Sequence, residues 1–180
     1  MRTIETTVYT FAELSEDAKE QARDNFRQSS YLDDICRWNW QEASQSRDLF
    51  LREFSAELRY GSCQSESVRV SPHYWQADGA LGDLSYVRLW KYINANHADC
   101  ISKIGHCQFT GVCWDEVLLD GIAEFMRKPY KIDFKSLLYL CCEDLRIAVE
   151  AECEYQNSDE AIDESIECNG YEFTQDGEIV

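Results

Sequence analysis

On either side of Pro129, apolar side chains recur at steps of three and four residues. Val117, Leu118, Gly121, Ile122, Phe125 and Met126 form one stripe before the proline, and Phe134, Leu137, Leu138, Cys141, Leu145, Ala148 and Val149 form another after it. That spacing puts each set on one face of a helix. Proline lacks an amide hydrogen and its ring clashes with the preceding turn, so one continuous helix through Pro129 is excluded. The pattern predicts two amphipathic helices, the first opened by Asp115 and the second by Asp133 and running to about Tyr155. Neither buries its stripe alone, so the rest of the chain must supply a core around them.

The remainder supplies further elements. IETTVYTF alternates Ile4, Thr6 and Val8 with Glu5, Thr7 and Tyr9, as a half-buried strand does. Ser15 then precedes Glu16 and Asp17, and Ala18, Ala22 and Phe26 follow at helical spacing, so a helix is expected over residues 16–28. A second helix starts near Asp33 or Asp34 and carries Ile35, Trp38, Leu49, Phe50 and Phe54 through a polar middle. Ala56, Leu58 and Tyr60 alternate, as do Val68 and Val70, with GSCQSES between them, which reads as a hairpin. Asp78-Gly79 marks a turn, Leu84 to Ile93 a short helix, and Cys107, Phe109, Gly111 and Cys113 a strand. A helix from Asp159 to Cys168, closed by Asn169-Gly170, leads into a strand at Tyr171 and Phe173 and a turn at Asp176-Gly177. These elements predict a single α+β domain over residues 1–180, with a mostly antiparallel sheet packed against about five helices.

The chain has 180 residues with 34 acids, 17 bases and a net charge of -17. The charge is uneven: residues 143–180, an acidic C-terminal helical subregion, hold thirteen acids against Arg146 alone. Such a charge repels nucleic acid and anionic membrane, so direct binding to either is not expected and a basic protein surface is the natural partner. The start MRTIETTVYT has neither the basic flank nor the apolar run of a signal peptide, and nine cysteines at irregular spacing read as reduced thiols; a cytoplasmic protein is expected.

Chemistry-bearing residues are scattered. His97, Cys100, His106, Cys107 and Cys113 lie within seventeen residues and include the ligand types of a zinc site, yet only His97 and Cys100 have the short spacing of a metal knuckle. Buried thiols are the competing reading. Asn157, Asp159 and Asp163 resemble part of a calcium loop, but Ile162 stands where the sharp turn demands glycine. No nucleophile signature or phosphate loop occurs, and Tyr74, Trp75 and Trp90 are read as core before pocket. No cofactor or catalytic residue is therefore expected. The acids Glu150, Glu152, Glu154, Asp159, Glu160, Asp163, Glu164 and Glu167 remain as the candidate partner-binding surface. A face selected for solubility alone intersperses both signs of charge, and this one does not. If these acids serve binding, converting Glu160, Asp163, Glu164 and Glu167 to Gln is expected to leave the fold nearly intact.

TIETTVYTFAELSEDAKEQAR at the start and EYQNSDEAIDESIECNGYEFTQDGEIV at the end resemble small acidic proteins encoded by tailed bacteriophages and prophages. Such proteins begin with a strand followed by TF-x-ELS-x-x-AK and end with SDEA, YEFT and DG. QADGA at Gln76 to Ala80 resembles their Q-G-D-G-A turn, with Ala77 in place of Gly. Together these matches cover about a third of the chain, and the segment from Arg59 to Trp114 departs from the pattern. The resemblance implies a phage origin and action in the bacterial host cytoplasm; some members are labelled antitoxins of a toxin-antitoxin system. The reading is a non-enzymatic acidic protein that inhibits or neutralises a bacterial protein with a basic surface, of anti-defence or DNA-mimic type. The alternatives are an antitoxin-like partner of a small toxin, and a zinc-binding protein or small enzyme built on the His97 to Cys113 segment.

Overall fold

A computed structural model describes residues 7–60, 66–70, 86–102 and 106–180. Among them are seven α-helices: α1 (Glu16–Arg27), α2 (Ser30–Glu53), α3 (Tyr86–Asn96), α4 (Ala98–Ser102), α5 (Trp114–Arg127), α6 (Phe134–Gln156) and α7 (Asp159–Asn169). The strands are β1 (Tyr9–Thr10), β2 (Ala56–Tyr60), β3 (Glu66–Val70) and β4 (Glu172–Phe173), in two separate two-stranded antiparallel sheets. The chain divides into two compact units, residues 1–39 with 150–180, and residues 40–149. No helix among the described residues is long and apolar enough to cross a membrane.

The expected mostly antiparallel sheet is therefore wrong: the protein is mostly helical. Three local causes account for the difference. After Thr10 the chain turns into a 3-10 helix, Phe11–Glu13, because the Glu13 carboxylate reaches back to accept the Thr10 amide and hydroxyl, both at 2.8 Å. The polar middle of α2 conceals a buried stripe of small residues, Ala43 and Ser46, in step with Phe50, so the helix runs unbroken for 24 residues. The expected strand from Cys107 to Cys113 is an irregular loop. There the buried Asp115 carboxylate accepts the amides of Phe109 and Thr110, each at 2.8 Å, and of Gly111 at 3.3 Å. Three consecutive amides turned towards one anion cannot also serve a strand ladder, and Gly111 sits at φ 86°. Asp115 is thus a loop anchor rather than the helix cap expected of it. Ile4 to Thr6 of the first expected strand and the Asp78-Gly79 turn lie outside the described residues.

In the unit formed by the two chain ends, β1 pairs with β4 in the register Tyr9 to Phe173 and Thr10 to Glu172. Ser15 caps α1 by accepting the Ala18 amide at 3.3 Å, and Ser158 caps α7 by accepting the Ala161 amide at the same distance. Phe11, Leu14, Ala18, Ala22, Phe26 and Leu32 pack with Ile162, Ile166 and Phe173 in one core. The small residues of α1 admit the C-terminal turn. Gly177, at φ 83°, lies so close that a Cβ there would stand 2.2 Å from the Ala18 carbonyl oxygen. The Gly177 carbonyl in turn accepts from Asn25 Nδ2 at 3.2 Å.

In the other unit, β2 and β3 form the expected hairpin, Ala56 opposite Val70 and Leu58 opposite Val68. α5 ends before Pro129, and the Asp133 carboxylate accepts the Ser136 amide at 2.9 Å to open α6. The two helices meet closely at Gly121, where a Cβ would come within 2.7 Å of Cys141 Sγ. Phe50, Phe54, Leu118, Leu119, Ile122, Phe125, Phe134 and Leu138 are almost fully buried. Of the aromatics expected in the core, Tyr74 and Trp75 lie outside the described residues, and Trp90 is half-buried and donates its indole N–H to the Met126 carbonyl at 2.9 Å.

Candidate functional site

The eight acids proposed as a binding surface fall into distinct environments. Asp163 is half-buried and grips Arg23 of α1 through both oxygens, at 2.7 and 2.6 Å. Asp159, at the start of α7, is ion-paired with Arg27. Glu152 is half-buried and accepts from Gln156 Nε2 at 2.8 Å. Glu150, Glu154, Glu160, Glu164 and Glu167 are exposed. On α7, Glu160, Glu164 and Glu167 are spaced four and three apart and share one face, while Ala161, Ile162 and Ile166 are buried in the core.

This division has a plain origin. Lys19, Arg23 and Arg27 recur every four residues along α1, making a basic ridge on that helix. Arg23 and Arg27 meet Asp163 and Asp159, and Arg23 and Lys19 also lie over the Phe11 ring at 5.6 and 6.0 Å. Two of the eight acids thus serve α1–α7 docking. Substituting Asp163 would leave Arg23 half-buried without its partner, so the expectation that its loss spares the fold is revised.

The five candidate metal ligands do not converge: among the described residues no three His, Cys, Asp or Glu side chains are grouped so that they could hold a metal ion. His97 is buried with Nδ1 3.2 Å from a Glu53 carboxylate oxygen, and its ring packs against Phe54 and Tyr92 at centroid distances of 4.6 and 5.7 Å. Its Nε2 is buried without a hydrogen-bond partner. Cys100 is buried, and Gln108 Nε2 donates both to its carbonyl at 3.1 Å and to its sulfur at 3.2 Å. His106 and Cys113 are exposed. Burial, followed by the nearby charges of Glu116 and Asp115, pushes the Cys107 thiol up from its ordinary value. Burial also pushes Cys153 up, to about 12, reinforced by a hydrogen bond with Cys36. Thiols held in this way are poor nucleophiles and poor ligands at neutral pH.

A feature invisible in the sequence lies elsewhere. Arg47, Arg52, Arg59 and Arg69, drawn from α2 and from both strands of the hairpin, line a common cavity of about 740 Å³. In the sequence they are spread over more than twenty residues and interleaved with acids, and only the hairpin pairing brings them together. Comparison of the chain with protein-family models, with curated proteins and with solved structures finds no match.

Proposed function

We propose that the chain is a non-enzymatic acidic binding protein that neutralises a bacterial protein with a basic surface, acting in the bacterial cytoplasm. The observation that carries this reading is the exposed set Glu154, Glu160, Glu164 and Glu167. These acids make no ion pair among the described residues, within a segment from 143 to 180 whose single base is Arg146. Acids that stabilise the fold find partners, as Asp159 and Asp163 do; these four do not and face water. A row of carboxylates on a rigid helix presents regularly spaced negative charge to a surface built to grip phosphates, and it speeds and orients encounter more than it adds raw affinity. The resemblance of both chain ends to phage-encoded acidic proteins implies a phage origin, and the density of exposed carboxylate favours a partner of the anti-defence or nucleic-acid-handling kind, towards which the chain acts as a DNA mimic.

The test is affinity capture from bacterial lysate with tagged wild-type chain and with the variant E154Q/E160Q/E164Q/E167Q, each eluted by a salt gradient. A basic partner that leaves the wild type at moderate salt, is displaced by duplex DNA and fails to bind the variant is the expected result. A partner held equally by both proteins moves the interface away from these acids. A small toxin that DNA does not displace would favour the antitoxin-like role instead.

A further inference from the structure

The arginine-lined cavity lies wholly within the unit of residues 40–149, and none of the eight candidate acids lines it. Its construction begins at Ser55, which takes the left-handed conformation at φ 54° although it is not glycine. That conformation disfavours most L-residues and reverses the chain sharply after α2. β2 follows directly, and Arg47 and Arg52 of the helix join Arg59 and Arg69 of the hairpin around one space.

Charge is not evenly satisfied there. Asp48 is engaged with Arg47 at 3.0 Å, and Glu57 with Arg59 at 2.8 Å. Arg69 stands opposite Glu57 in the strand register, but Glu57 is taken by Arg59. Arg52 and Arg69 have no ion pair or side-chain hydrogen bond among the described residues. The C-terminal dipole of α2 accounts for a cation at Arg52, since the last turn's carbonyls favour positive charge. It does not account for Arg69, nor for a surplus of guanidinium around one cavity in a chain with twice as many acids as bases. Between the arginines the lining is mixed: Leu51, Leu58 and Val70 contribute apolar atoms, and Ser55 with the arginine-paired Asp48 and Glu57 contributes polar ones.

We infer that this cavity binds a small organic phosphate, its anionic group held by the Arg52 and Arg69 forks and its ring or apolar portion against Leu51, Leu58 and Val70. Guanidinium forks match phosphate oxygens two at a time, and the volume lies within the roughly 300–1,000 Å³ of small-ligand sites. A polyanion is disfavoured by the net charge of -17, whereas a ligand of nucleotide size responds mainly to the field within a screening length of about 8 Å.

Isothermal titration of the full chain with adenosine diphosphate tests the inference, with inorganic phosphate, adenosine and a single-stranded oligonucleotide as the other titrants. Saturable binding of the diphosphate is expected, tighter than that of inorganic phosphate or adenosine alone. It should weaken about tenfold or more in R52Q/R69Q, and less in R52K/R69K, which keeps the charges and loses the forks. Both arginines are exposed, so a melting curve unchanged from wild type is the control for folding. The E154Q/E160Q/E164Q/E167Q variant should bind the diphosphate like wild type, which separates this site from the acidic face. Absence of saturable binding at roughly millimolar diphosphate, equal binding by R52Q/R69Q, equal affinity for inorganic phosphate, or tighter binding of the oligonucleotide would each overturn it.

Discussion

Asp115 shows how one buried carboxylate organises its surroundings. It is fully enclosed, and enclosure alone would push its pKa up; hydrogen bonds from Ser46, Thr110 and Phe109 outweigh that and hold it below the usual carboxylate value. A depressed folded pKa stabilises the fold above the unfolded value of about 4, and this contribution is lost as pH falls through the folded value. Asp115→Asn should therefore cost about 3 kcal/mol at neutral pH, because its amide group has hydrogen atoms to place where only donors converge. Urea unfolding of the variant should also show a weaker loss of stability as pH falls below about 4 than wild type does. An identical acid dependence in both proteins would show that other carboxylates set it. The sequence marked Asp115 as a helix start, and α5 does begin beside it; what it could not show is that the side chain turns back to the loop before it. Residue type and position are compatible with both roles, and only burial decides between them.

At the scale of elements, helix ends were the most legible part of the chain. Ser15, Asp133 and Gly170 stand at the ends they were expected to mark, because capping is settled by hydrogen bonds to residues three or four positions away. Strands were less legible. Alternation at Cys107 to Cys113 is a local signal, but a strand needs a partner, and Asp115 claims the amides that a partner would use. Docking of α1 on α7 was not legible at all, since Arg23 and Asp163 are 140 residues apart. A double-mutant cycle with Arg23→Gln and Asp163→Asn should give a coupling of about 1–2 kcal/mol, above that of an exposed pair, because the geometry is bidentate and half-buried. The variant E160Q/E164Q/E167Q on the same helix should change stability by less than about 0.5 kcal/mol. Coupling near zero would mean that the apolar core of Phe26, Ile162 and Ile166 holds the helices together unaided.

For the whole molecule, a net charge of -17 makes like-charge repulsion a standing cost of folding, concentrated in residues 143–180. Added sodium chloride screens exposed charges and barely affects half-buried pairs such as Arg23 with Asp163, so the thermal midpoint should rise between about 0.05 and 0.5 M salt. A midpoint that falls over that range, followed by differential scanning fluorimetry, would mean that ion pairs outweigh repulsion. The same screening should weaken any complex made through Glu154, Glu160, Glu164 and Glu167, so stability and affinity are expected to respond to salt in opposite directions.

By itself the sequence determined the breaks at Pro129 and Gly170, the amphipathic faces of α5 and α6, and the concentration of acid towards the C-terminus. Each of these depends on composition or on neighbours within one helical turn. Only the tertiary structure decided that the sheet would shrink to two short pairs, that Asp159 and Asp163 would be consumed by α1 while Glu160, Glu164 and Glu167 stay exposed, and that four scattered arginines would face one cavity. The reason is that the free energy of a charge depends on what the fold places within a few ångströms of it, and that neighbourhood is assembled from residues far apart in the chain.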